Sequence, residues 1–205
     1  MTGLPYGPLP ADTVHLCVDM QRLFAEGCSW ASGAVREALP DVLCLCDALP
    51  ERTVLTRFLT PPSLGQAERC WRRYYERWRD VVGDRLDPNL LDLVPELAVR
   101  AAPERVVDKT AYSAFTSGRL DPTLRRLGAE ALVISGVETD MCVLATLLGA
   151  VDRGYRCVVA TDAVASSSRP AHDATLQLLA ARFAEQVELA PTADVLAALP
   201  AAAGR

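Results

Sequence analysis

The chain has 205 residues, half of them hydrophobic, and a formal net charge of −5. That length buries one α/β core, and no shift in composition marks a second domain. An acidic balance without a basic run argues against a nucleic-acid partner, and no apolar stretch approaches membrane-spanning length.

Residues 1–12 are rich in Pro and Gly. They lack the charged start and apolar centre of a signal peptide and read as a loose arm over the surface. The domain is expected over 13–199, with a short tail over 200–205. Seven cysteines, an odd number, occur without a Cys-x-x-Cys pair and mostly inside apolar segments. Reduced thiols in a cytoplasmic protein fit better than a disulfide framework. Cys44 and Cys46 have no nearby partners for a zinc site and read as helix residues.

Thr13 to Asp19 is the first strand candidate and ends in an acid. Val35 to Leu49 has helical spacing. Arg52 to Thr56 is a second strand. Gly65 to Arg79 reads as an amphipathic helix or compact insertion, with Trp71, Tyr74, Tyr75 and Trp78 at 3/4 spacing and arginines between them. The aromatics read as packing and the arginines as a solvated or subunit-facing side. Arg105 to Asp108 is a short third strand ending at Lys109. Asp121 to Leu127 is a helix, with Asp121 as cap and Pro122 at its first position.

Ala131 to Ile134 is an apolar run between Gly128 and Gly136, as in a strand buried on both faces. Met141 to Val151 has helical spacing and stops at Gly154. Cys142 therefore falls where a buried strand becomes a helix. There the helix dipole is expected to lower a thiol pKa and make a nucleophile. A small core cysteine is the competing reading. Arg156 to Thr161 is a fifth strand and Pro170 to Phe183 a helix preceded by capping serines at 166–168. Gln186 to Leu189 is the last strand, and Thr192 caps a final helix to Leu199.

This alternation predicts a single-domain, three-layer α/β/α fold with a mostly parallel, Rossmann-like sheet of about six strands. Strand C-termini then share one edge, where ligands of open sheets bind. Asp19, Lys109 and Cys142 would converge there. An acid, an amine and a thiol make a nucleophilic site: Asp19 as general base, Lys109 favouring the thiolate, and backbone amides of the 138–142 turn for an oxyanion.

Three motifs carry a family resemblance: Val18-Asp-Met-Gln21 with Phe24, Asp108-Lys109 with Tyr112-Ser-Ala-Phe115, and Gly136-Val-Glu-Thr-Asp-Met-Cys142. The chain resembles the isochorismatase-like cysteine hydrolases, which include nicotinamidases and N-carbamoyl amidohydrolases, over roughly 13–199. The resemblance implies a catalytic triad of Asp19, Lys109 and Cys142. It also implies a cis peptide between Val137 and Glu138, with the Glu138 and Cys142 amides as oxyanion hole. Phe24 would line the substrate pocket, with Tyr112 as a further wall. The implied reaction is hydrolysis of a C–N bond in a small amide, carbamoyl or ureido substrate through a thioester. A homodimer or homotetramer is also implied.

Two departures refine this. Nicotinamidases carry an Asp-x-His metal motif just after the second strand; this chain reads Thr56-Arg-Phe-Leu-Thr-Pro-Pro62 there. Its only two histidines, His15 and His172, cannot assemble a His-rich site, so no metal and no cofactor are expected. Arg57 stands at the metal-ligand position and would bind a substrate carboxylate or form a structural ion pair. Isochorismatases proper lack the nucleophilic cysteine, so amide hydrolysis is favoured over vinyl-ether hydrolysis. An isochorismatase-type hydrolase or a non-catalytic binding member of the fold is the alternative.

Overall fold

The computed structural model describes residues 3–200. Six parallel strands form one sheet in the order β3-β2-β1-β4-β5-β6. In chain order they are β1 (Val14–Val18), β2 (Thr53–Phe58), β3 (Val106–Lys109), β4 (Ala131–Val137), β5 (Arg156–Ala165) and β6 (Val187–Ala190). Among the described residues eight α-helices accompany them: α1 (Arg22–Ala25), α2 (Ala34–Ala48), α3 (Arg69–Arg77), α4 (Pro95–Ala98), α5 (Leu120–Arg126), α6 (Leu144–Val151), α7 (Arg169–Arg182) and α8 (Thr192–Ala198).

The sheet grows in one direction from β1 to β3 and in the other from β4 to β6. Right-handed crossovers therefore put the β1–β2 and β4–β5 connections on opposite faces. Every residue of β1 and β4 is buried, as expected of central parallel strands covered on both sides. The order reverses between β1 and β4, and the crevice beyond their carboxyl ends is the topological switch point.

Gly136 permits this closeness. It has φ +108°, and an added Cβ would lie 2.0 Å from the Val18 carbonyl oxygen. Val18 is its partner across the β1–β4 ladder and immediately precedes Asp19.

The strand and helix expectations hold in kind, with shifted ends. β2 runs on to Phe58, so Arg57 lies within a strand. Asp121 does not cap α5; it lies in the first turn and accepts both nitrogens of the Arg153 fork at 2.7 and 3.0 Å. Thr192 opens α8 without capping it, and bonds Asp162 instead. Residues 3–12 are not loose: Leu4 and Leu9 are buried, Leu9 N donates to Ala198 O at 2.8 Å, and Arg156 binds the Gly7 and Pro8 carbonyls. Apolar leucines at Pro/Gly-set spacing anchor the segment. Residues 1–2 and 201–205, including most of the expected tail, lie outside the described part. No described helix is long and apolar enough to cross a membrane.

His15 points into the core from β1. Its ring nitrogens contact Thr53 Oγ1 at 3.2 Å and Ser135 Oγ at 2.7 Å. Burial lowers its pKa to about 3 from an ordinary 6.5. Below pH 6.5 the unfolded chain takes a proton that the native ring refuses, so stability is lost as pH falls toward 3. This group alone should cost about 2 kcal/mol between pH 7 and 5. Urea denaturation at the two pH values checks it against His15→Gln, which should show a smaller loss. The His15 ring should stay neutral at pH 5 by NMR.

Gly136→Ala should destabilise the protein by about 4 kcal/mol or more, because backbone cannot retreat from the new methyl. Denaturant midpoints, or failure to obtain folded protein, provide the measurement; near-native stability would contradict the close approach.

Candidate active site

Strand alternation selects which side chains reach the crevice. On β2, Thr56 and Phe58 share one face while Arg57 points to the other. On β3, Lys109 lies beside Phe58 in the ladder and Asp108 beside Arg57. Lys109 Nζ stands 4.8 Å over the Phe58 ring. Asp19, just past β1, has φ +50°, a left-handed turn that short polar residues tolerate better than most.

Three side chains meet. Lys109 Nζ is 2.7 Å from Asp19 Oδ2 and 3.2 Å from Cys142 Sγ, and donates to Ala111 O at 3.0 Å. The side chains of Asp19 and Lys109 are wholly buried. Thr56 Oγ1 accepts from Asp19 N at 3.1 Å and donates to Asp19 Oδ1. Asp19 Oδ2 has the ammonium beside it as an ion contact but no aligned hydrogen-bond donor. Lys109 is the only lysine in the chain, against twenty arginines. A buried contact to two small acceptors suits a compact ammonium and leaves no room for a guanidinium fork.

Cys142 lies in a wide π-type turn, Thr139–Val143, that joins β4 to α6. The Val137–Glu138 peptide before it is cis. The amides of Met141 and Val143 both donate to Glu138 O at 3.1 Å, which ties the turn together. Thr139 Oγ1 contacts His172 Nδ1 of α7 at 2.9 Å, both side chains buried.

The thiol itself departs from expectation. Burial pushes the Cys142 pKa well above the ordinary thiol value, and the Asp19 charge adds to the rise; Lys109 opposes both without cancelling them. Cys142 is only 5% exposed, and desolvation outweighs the helix terminus. For Lys109 burial acts downward, but Asp19 and Cys142 together raise its pKa.

Cys142 borders a cavity of about 290 Å³ whose wall includes Phe24, Trp30, Phe58, Tyr74, Trp78, Tyr112, Glu138 and Asp140. Phe24 stacks on Trp30, centroids 5.8 Å apart and planes 3° from parallel. Tyr112 packs on Trp71 at 4.9 Å. Trp71 and Tyr75 are packing residues, as read from the sequence, whereas Tyr74 and Trp78 reach the wall. Ser168 caps α7; Ser166 and Ser167 instead bind the Glu138 carboxylate.

Arg57 is absent from the wall. Its Nε and Nη2 take Asp108 at 2.7 and 3.0 Å and its Nη1 takes Asp92 at 3.2 Å. Its place on the opposite face of β2 imposes this, so the structural ion pair replaces the substrate-carboxylate role. Thr56, Trp30 and Phe58 escaped sequence reading. An odd/even count along β2 would have found the first and last; Trp30 sits in a loop with no periodic signal.

The donors present do not fit a His-rich metal site. Both histidines are buried against hydroxyls, and Arg57 is tied to two carboxylates. Among the described residues no three His, Cys, Asp or Glu side chains gather as a metal-binding group.

A doubly wound parallel sheet with an acid, an amine and a thiol meeting at its switch point defines the class of this protein. The chain belongs to the isochorismatase family: the Isochorismatase domain model matches residues 13–191. It is 37% identical over 86 residues to Nicotinamidase 3 of Arabidopsis thaliana, 42% of this chain and 43% of that protein. The matched stretch thus spans less than half of that relative. It is 28% identical over 177 residues to a probable inactive nicotinamidase of the same plant, 80% of this chain and 86% of that one. A cysteine hydrolase from Pseudomonas syringae pv. phaseolicola 1448A shares the fold, with TM-score 0.78 and 22% identity over 93% of this chain and 94% of that chain.

Thr56→Val keeps shape but removes both bonds to Asp19. It should cost about 1–3 kcal/mol, the penalty for orphaned buried polar groups. Urea denaturation measures it; an unchanged midpoint would show that Thr56 does not hold Asp19.

Proposed function

We propose that this chain is a cysteine-dependent, metal-independent hydrolase that cleaves the C–N bond of a small amide, carbamoyl or ureido compound. The observation that carries the reading is the single ammonium of Lys109 in contact with both the Asp19 carboxylate and the Cys142 sulfur at the wall of a cavity. The amide-directed name of the nicotinamidase relative points the same way.

The raised thiol pKa makes a base necessary. As Cys142 Sγ attacks the carbonyl carbon, its proton passes to Asp19 Oδ2, the oxygen without an aligned donor. Negative charge moves from carboxylate to sulfur, and Lys109 already touches both ends, so little reorganisation is needed. The Glu138 and Cys142 backbone amides hold the tetrahedral oxyanion. Collapse breaks the C–N bond, and the leaving amine or ammonia departs with the proton from Asp19. A water then attacks the thioester as Asp19 takes its proton. The second tetrahedral species releases the acid, and the sulfur recovers its proton from Asp19. Phe24 and Tyr112 flank the acyl group.

Ammonia release across primary amides, carbamoyl amino acids and ureides tests the reading. Cys142→Ala and Asp19→Asn should each lower kcat/KM by about 10³-fold or more, and Lys109→Arg by about 10²-fold or more despite its retained charge. Exhaustive chelation should leave the rate unchanged. A fully active Cys142→Ala variant, or a rate abolished by chelator and restored by one metal, would overturn it. No turnover of any amide would place the chain with the non-catalytic members of the fold.

A further inference from the structure

The charge of the cavity wall deepens this reading, on which it depends, to a class of substrate. Glu138 and Asp140 are the only charged side chains in the wall among the described residues. Lys109 is consumed by Asp19, Ala111 and Cys142. Arg57 is consumed by Asp108 and Asp92, and Arg77 stacks on Trp78 at 5.0 Å without lining the cavity. Among the described residues the wall therefore offers no cationic side chain to a substrate carboxylate.

The Glu138 carboxylate is only part-satisfied. Glu138 Oε2 accepts from Ser167 N at 3.0 Å and from the Ser167 hydroxyl, and lies 3.1 Å from Ser166 Oγ, whereas its buried Oε1 has no donor. Asp140 Oδ1 accepts from the Ser166 hydroxyl. The same wall holds the aromatic side chains of Trp30, Tyr74 and Trp78. An aromatic face attracts a cation, and a desolvated carboxylate attracts it further while repelling an anion.

We propose that the cavity selects amides whose non-reacting end is cationic, such as an alkylammonium or a quaternary ammonium on a single ring, and rejects acids. The aromatic faces and the Glu138 carboxylate receive the cation, while the amide carbon meets Cys142.

Binding to the Cys142→Ala protein separates this from turnover. Three ring amides of equal shape serve as probes: 4-(trimethylammonio)benzamide, 4-tert-butylbenzamide and 4-carboxybenzamide. Calorimetry should rank the cation first, about tenfold or more tighter than its neutral isostere, with the carboxylate weakest. Glu138→Gln should shrink the preference for the cation several-fold while leaving binding of the neutral isostere in place. Equal binding of cation and isostere, a carboxylate bound first, or no detectable binding of the cation at millimolar concentration would overturn the inference. Turnover of any amide by the unmodified chain is scored separately and bears only on the hydrolase reading.

Discussion

A carboxylate and an ammonium with no solvent exposure, 2.7 Å apart, set the conditions for everything around them. Neither charge survives burial alone, and together they contribute little to net stability. What the pair does provide is a fixed ammonium in contact with both a carboxylate and a neighbouring sulfur. Thr56 holds Asp19 Oδ1 and the Ala111 carbonyl accepts from Lys109 Nζ, while Asp19 Oδ2 has the ammonium as its ion contact.

The sheet supplies the convergence. Asp19 follows β1, Lys109 ends β3 and Cys142 follows β4, and all three strands run the same way. Parallel pairing thus delivers three residues, distant in sequence, to one edge. Alternation along β2 then sorts its residues: Thr56 and Phe58 face the site, and Arg57 cannot join them. Gly136 lets β4 lie against Val18 at the point where the order reverses.

Burial also reverses the expected direction of the Cys142 pKa shift. The helix terminus argued for a lowered thiol pKa, yet desolvation of Cys142 and the neighbouring Asp19 charge push it upward. The aromatic segment shows a similar division. Trp71 and Tyr75 fill a small secondary core, while Tyr74 and Trp78, on the same helix or at its end, form cavity wall.

Hydrophobic runs, glycines and strand-end polar residues were enough to read the α/β class, the parallel sheet and the residues Asp19, Lys109 and Cys142 from the amino-acid order. These are local signals, or they follow from the rule that strand ends share an edge. The side on which Arg57 falls, the extension of β2 by two residues, the packing of residues 3–12, the cavity wall that includes loop residue Trp30 and the burial that raises the Cys142 pKa were decided by tertiary structure. Each depends on which atoms come to surround a group, and neither desolvation nor a partner across the sheet is written in the residues beside it.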